Sequence, residues 1–130
     1  MNTKWETFEG QQYKHTARRE PRVTLGTKGS FYLNGHTYKA LGRPGAVEML
    51  YDGNRRIIGM RPTDPRKRNA FVIRQHGRTG NYKRISGSAF CQHFRINTRD
   101  TVLFEGIDLD NEGVMLPDMA KTVYVGRGAR

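Results

Sequence analysis

The chain of 130 residues is short of cysteine and of acidic side chains. Its single cysteine, Cys91, cannot form an intrachain disulfide, so a reducing cytoplasm is the simplest compartment. We expect Cys91 to be a small residue of the core. No apolar run approaches the roughly 20 residues that span a bilayer. The first ten residues also lack the apolar core of a signal peptide. We therefore expect a cytoplasmic protein that does not partner a membrane.

Signatures of catalysis and of metal binding are missing as well. There is no Walker loop, no dinucleotide-binding glycine pattern after a strand and no nucleophile elbow. The histidines are scattered, and the Cys91–His93 pair is a weak metal signal by itself. The alternating acids Asp108, Asp110 and Glu112 fit a solvated turn better than a calcium loop. We expect no enzyme activity, no cofactor and no metal site.

Positive charge, by contrast, is abundant and unevenly distributed. Lys and Arg number 23 against 12 Asp and Glu, which gives a formal net charge of +11. Residues 63–84 carry +6, whereas residues 85–120 carry −4. Such a balance favours a polyanionic partner, most often nucleic acid. The candidate nucleic-acid-binding residues are Arg22, Lys28, Lys39, Arg55, Arg56, Arg66, Lys67, Arg68, Arg74, Arg78, Lys83 and Arg84.

The segment 23–64 has an ordered pattern of strands and turns. It predicts a short strand, a Lys-Gly turn at Gly29, a second strand ending at Asn34, a brief helix and a hairpin. Asn34 suits a helix N-cap, and Gly42 suits the residue after a helix. Asp-Gly at Gly53, between alternating apolar residues, is a strong hairpin signal. The sequence therefore predicts a mainly β fold with short helices.

A second, more divergent copy of this pattern follows about 52 to 55 residues later. A strand at 71–73 would open it, Ile85 would lie on its second strand, and residues 89–94 would form its helix. Residues 101–104 and 114–117 would then make its hairpin, with Ser86 or Ser88 capping the helix. Because one unit of about 40 residues buries too little surface to be stable alone, we expect both copies to share one core.

The expected core consists of the apolar positions that recur at strand or helix period in the two copies. These are Leu25, Phe31, Leu33, Leu41, Val47, Met49, Ile58, Met60, Ile85, Phe90, Phe94, Val102, Phe104, Val114 and Leu116.

The predicted organisation has five parts within one compact domain. They are an N-terminal arm (1–22), a first repeat (23–62), a basic link (63–69), a second repeat (70–118), and a terminal strand with a basic tail (119–130). In the arm, Trp5, Phe8 and Tyr13 are expected to dock on the body. Residues 121–125 alternate as a strand does.

The order of these motifs resembles the AbrB/SpoVT/MraZ group of swapped-hairpin DNA-binding proteins. The resemblance rests on Val23-Thr24-Leu25, Lys28-Gly29, Leu33-Asn34, Leu41-Gly42, Val47-Glu48 and Arg61-Pro62. It implies a swapped-hairpin barrel made of two AbrB-like repeats in one chain, and duplex DNA as the partner. It also implies that Lys28 and Lys39 lie near positions where the family presents arginines to DNA, with Asn81 and Gln92 in the corresponding places of the second copy.

The leading hypothesis is thus a small DNA-binding protein that regulates transcription and can form a homo-oligomer. An RNA-binding module is an alternative, because the same charge would serve it. Another is a structural or phage protein that self-associates through its acidic 100–118 stretch. An antitoxin is less favoured, since such proteins add an acidic tail and this chain ends in a short basic one.

Overall fold

A computed structural model describes residues 20–78 and 80–125. Within these ranges the chain forms ten strands and two short helices. The first half contains β1 (Val23–Leu25), β2 (Ser30–Asn34), α1 (Gly35–Ala40), β3 (Ala46–Asp52) and β4 (Ile57–Thr63). The second half contains β5 (Phe71–His76), β6 (Tyr82–Ser86), α2 (Ser88–His93), β7 (Val102–Phe104), β8 (Asp108–Leu109), β9 (Met115–Leu116) and β10 (Thr122–Tyr124).

All ten strands join one antiparallel sheet that curls into a half-barrel. The strand order is β10-β7-β1-β2-β6-β5-β3-β4-β9-β8. The prediction of a mainly β fold with short helices is therefore confirmed. One sheet runs through both predicted repeats, so the apolar faces of the two halves meet in a common interior.

The eight strands from β10 to β4 are arranged symmetrically about the β2–β6 pair. Counted outward from this pair, the strands are β1, β7 and β10 on one side and β5, β3 and β4 on the other, where β9 and β8 then extend the sheet. The first strand of each half therefore pairs with the third strand of the other half, β1 with β7 and β5 with β3. This interleaving means that the two halves cannot separate without breaking the sheet.

The first half forms the local structures that its turn residues predict. Asn34 is the N-cap of α1, and its side-chain oxygen accepts a hydrogen bond from the Thr37 backbone N–H at 2.9 Å. Gly42 follows the helix with φ +90°, a value that glycine adopts without strain. The hairpin turns after Asp52, whose carboxylate accepts from the backbone N–H groups of Asn54 and Arg55.

The second half departs from prediction at two places. The N-cap of α2 is Gly87, with no side-chain cap, so the prediction that Ser86 or Ser88 caps this helix is wrong. Residues 114–117 do not return alongside β7. Instead β9 pairs with β8 and β4, whereas β7 pairs with β1 and with β10, the predicted terminal strand. With only two residues, β9 is too short for its own pattern to specify a partner.

Most of the predicted core is buried. Val23, Ile96 and Met115, which the sequence analysis left out, belong to it as well. Met49 and Val102 are partly buried against this cluster, and Leu116 is only partly covered. Phe94 is 39% exposed, so its assignment to the core is wrong. It directly follows α2, where its ring packs against Tyr51 and Phe90 at the surface.

The predictions for the arm and the tail fall mostly outside the described residues. Trp5, Phe8, Tyr13 and residues 126–130 lie beyond them. The described end of the arm is bonded to the body: the carbonyl of Glu20 accepts from the Asn34 side chain at 2.8 Å. The Arg22 backbone N–H donates to Thr37 Oγ1 at 2.6 Å. The chain entering β1 is therefore held against the start of α1.

Candidate nucleic-acid interface

Two basic grooves lie beside the two short helices. The α1 groove has a volume of about 610 Å³ and contains Arg22 and Lys39, two of the predicted binding residues. Its other lining residues are Asn34, Gly35, His36, Asn81 and Tyr82. Asn34 fixes this groove, because the hydrogen bonds of its amide join the start of α1 to the backbone of Arg22. The Arg22 and Lys39 side chains thereby share one concave surface.

The α2 groove is similar in size, about 600 Å³, and is more basic. It brings the predicted Lys28, on the β1–β2 turn, together with Arg95 and Arg99 after α2. The polar residues Thr27, Ser88, Gln92, Asn97 and Thr98 complete most of its lining. Arg95 and Arg99 are not among the residues predicted from sequence, because they lie in the segment 85–120, whose net charge is −4. The acids of the same segment do not line the groove among the described residues.

Arg95 occupies an unusual backbone position in this groove. Its φ of +57° is in the left-handed region, which a residue with a Cβ adopts at a cost of about 1–2 kcal/mol. It stands one residue after the C-cap of α2, the position that Gly42 holds after α1. Arg99 is fixed by a local turn, in which its backbone N–H donates to Asn97 Oδ1 at 2.8 Å.

The two grooves lie at opposite ends of the central strand pair. Asn34 pairs with Tyr82 at the α1 end, and Ser30 pairs with Ser86 at the α2 end. Four residue steps separate these pairs, which corresponds to about 13 Å along the strands. The major groove of B-DNA is of similar width, about 12 Å. Among the described residues, neither groove is lined by an Asp or a Glu.

A third basic feature lies between the grooves, on the outer face of the sheet. Arg74 on β5 is directly opposite Arg84 on β6, and Arg84 is opposite Tyr32 on β2. Neither arginine forms an ion pair with any described residue. Strands β1, β2, β5 and β6 contain no acidic residue at all.

Other predicted residues already have partners. The guanidinium of Arg66 contacts the Asp64 carboxylate at 2.8 Å; this pair lowers the pKa of Asp64 and raises that of Arg66. Arg55 lies 3.9 Å from Asp52. The ammonium of Lys83 is 5.1 Å from the centre of the Tyr38 ring, a cation–π contact. These three side chains are therefore less available to an anion than those of the grooves.

The remaining predicted residues are exposed on turns and on the link. Lys67 and Arg68 lie between β4 and β5, Arg78 follows β5, and Arg56 lies in the β3–β4 turn with φ +60°. None of these four residues lines either groove in the described part of the chain. They extend the positive surface without forming a defined site.

Cys91 is not placed for nucleophilic chemistry. It is 3% exposed, and burial raises the pKa of its thiol to about 11, so the thiolate is scarce at neutral pH. The prediction of a small core residue is confirmed. In residues 20–78 and 80–125, no three His, Cys, Asp or Glu side chains cluster as metal ligands would. Over the same residues, no helix is long and apolar enough to cross a membrane.

Comparison with known proteins adds no family to this description. No protein-family model, no curated protein and no solved structure matches the chain.

Proposed function

We propose that this chain is a small basic protein that binds duplex DNA through the α1 and α2 grooves and regulates transcription. The observation that carries the proposal is the α2 groove, where Lys28, Arg95 and Arg99 converge from separate parts of the chain. No carboxylate lines this groove among the described residues. Cations collected without acids in a concave surface suit a chain of phosphates.

The length of the β2–β6 pair, with one groove beside each end, supports a duplex in particular. With about 13 Å between the ends of the β2–β6 pair, side chains at the two ends can contact phosphates on both sides of one DNA groove. Phosphate contacts of this kind position a protein and give affinity without sequence preference. Base reading would need further side chains, and Asn81 and Gln92 line the two grooves where bases could be reached.

The swapped-hairpin arrangement is part of the same proposal. The symmetric order of the eight strands from β10 to β4 and the exchange of first and third strands between halves support two AbrB-like repeats joined in one chain. In such an arrangement each groove combines a turn of one half with the helix of the other. Lys28 and α2 meet in one groove, and Asn81 and α1 in the other. A cytoplasmic location and a capacity to form homo-oligomers are the corresponding expectations.

A salt-dependent binding experiment tests the proposal. Affinity for a labelled random-sequence 20-base-pair duplex is measured between 50 and 200 mM salt for the wild type and for a Lys28→Ala/Arg95→Ala/Arg99→Ala variant. Each lost phosphate contact should flatten the slope of log affinity against log salt by about 0.9. The variant should therefore bind more weakly and with a slope smaller by up to about 2.7.

Arg66→Ala is the matched control, because Arg66 is exposed and already paired with Asp64. It removes one charge of the same kind but should change the slope little. Equal slopes for the wild type and the triple variant would overturn the α2 groove as a phosphate site. Preference for duplex RNA would favour the RNA-binding alternative. Absence of all nucleic-acid binding, with salt-sensitive oligomers in light scattering, would favour self-association.

A further inference from the structure

The outer face of the central sheet combines aromatic rings with two arginines that form no ion pair with any described residue. The rings of Tyr32 on β2 and His76 on β5 lie 4.8 Å apart, tilted by 55°, although β6 separates their strands. Arg84 on β6 is the cross-strand neighbour of Tyr32, and Arg74 on β5 is the cross-strand neighbour of Arg84. We call Tyr32, Arg74, His76 and Arg84 the sheet-face cluster. Its members come from three adjacent strands and lie on one surface.

The arginine pair indicates that this face meets a polyanion. Like charges directly opposite each other on adjacent strands destabilise a sheet. Arg74 and Arg84 are placed in this way, and the described residues supply no acid to compensate them. A negatively charged partner from outside the chain would remove the repulsion.

The rings specify which polyanion fits. An acidic peptide or a bare polyphosphate would need the arginines alone, whereas unpaired nucleic acid offers both phosphates and base faces. Proteins that hold single strands combine a basic surface with aromatic side chains on which bases stack. The bases of an intact duplex are stacked on one another and cannot reach these rings.

We propose that the sheet-face cluster binds single-stranded nucleic acid, with bases stacking on Tyr32 and His76 and phosphates meeting Arg74 and Arg84. This site is separate from the two grooves and does not depend on duplex binding.

The test separates stacking from charge. Fluorescence anisotropy measures binding of the full chain to labelled dT12, rU12, an abasic strand with the same number of phosphates, and poly-glutamate at 100 mM salt. Base–aromatic stacking should make dT12 bind at least about tenfold more tightly than the abasic strand. Equal affinity for dT12 and the abasic strand would overturn the proposal, as would poly-glutamate binding as tight as dT12. The rU12 arm shows whether the site distinguishes ribose from deoxyribose.

Variants assign the effect to the cluster. Tyr32→Leu/His76→Leu keeps apolar bulk at the half-buried Tyr32 and should remove most of the preference for dT12 over the abasic strand. Tyr124→Leu is the matched control: its ring is 59% exposed on β10, at the edge of the sheet, and the preference should stay. Arg74→Gln should weaken binding to both strands alike.

The two proposals can fail separately. The triple groove variant, with Lys28, Arg95 and Arg99 replaced by Ala, should keep the preference for dT12 even where it loses duplex binding. If the ring variant retains the full preference, the bases stack elsewhere and the sheet-face assignment is overturned. If the wild type binds duplex with the expected salt slope but shows no preference for dT12, the groove proposal stands and this one falls.

Discussion

The two halves of the molecule build the same strand–helix–strand frame with different local chemistry. In the first half, Asn34 is the N-cap of α1, and its side chain both accepts and donates hydrogen bonds. Gly42 follows the C-cap of this helix with φ +90°. In the second half, the N-cap of α2 is Gly87, which has no side chain to accept a hydrogen bond. Arg95 follows the C-cap of this helix with φ +57°. The hairpin β3–β4 pairs over seven residues, whereas β7 and β10 pair over three.

The difference shows that the second half depends more on tertiary contacts than on its own sequence signals. Its helix lacks a cap and its outer strands are short, yet Ile85, Phe90 and Phe104 are buried in the same core as Leu33. Local signals and packing are alternative sources of stability. The left-handed Arg95 is a local cost that the surrounding structure must offset, and it lies in the candidate binding groove.

Truncating the core should have the largest effect and should not distinguish the halves. Leu33 on β2 is 0% exposed and Phe104 on β7 is 2% exposed. Leu33→Ala and Phe104→Ala should each lower the free energy of unfolding by about 2–5 kcal/mol, because each leaves a cavity in one shared core. Urea denaturation followed by circular dichroism measures the loss. Leu109→Ala, at an exposed position on β8, should stay within about 0.5 kcal/mol of the wild type. Two separate transitions would break the shared-core interpretation.

Removing the cap should distinguish the two helices. The Asn34 side-chain oxygen accepts from the Thr37 N–H and hydroxyl, and its amide donates to Glu20. Asn34→Ala should therefore cost about 1–3 kcal/mol, since it also leaves buried groups unpaired. Ser88→Ala, at the exposed start of α2, should change the free energy of unfolding by less than about 0.5 kcal/mol. Equal losses in urea denaturation would contradict the difference between the helices.

Exchanging the residues that follow the helices should give opposite, smaller effects. Gly42→Ala should cost about 1 kcal/mol, because alanine is strained at φ +90° and nothing else is close enough to clash. Arg95→Gly should raise the free energy of unfolding by about 0.5–1 kcal/mol, because glycine relieves the left-handed strain. Thermal denaturation measures both changes. If Arg95→Gly is more stable but binds duplex DNA more weakly, the strained residue contributes to binding in the α2 groove. If Arg95→Gly is less stable, the Arg95 side chain contributes packing contacts that outweigh the strain.

Prediction from sequence succeeded where one or two residues decide the local geometry. The N-cap at Asn34 and the glycine after α1 each depend on a local backbone conformation that few residue types allow. The hairpin at Asp-Gly also formed, but the positive φ of its turn is at Arg56 and not at Gly53. Prediction failed for the return strand at 114–117, because β9 has only two residues. A pattern of two residues is too short to determine which strand β9 pairs with. Phe94 was assigned to the core by its apolar character, but the helix ends one residue before it.

The sequence by itself determined a basic chain, mainly β, with two short helices and an apolar pattern able to form one core. Only the tertiary structure decided which charges meet. Arg95 and Arg99 lie in an acidic stretch of sequence, yet the fold places them beside Lys28, some 67 or more residues earlier in the chain. Likewise, the opposition of Arg74 to Arg84 follows from strand register. Periodicity shows which face a side chain takes, whereas its neighbours across the sheet depend on contacts between residues distant in sequence.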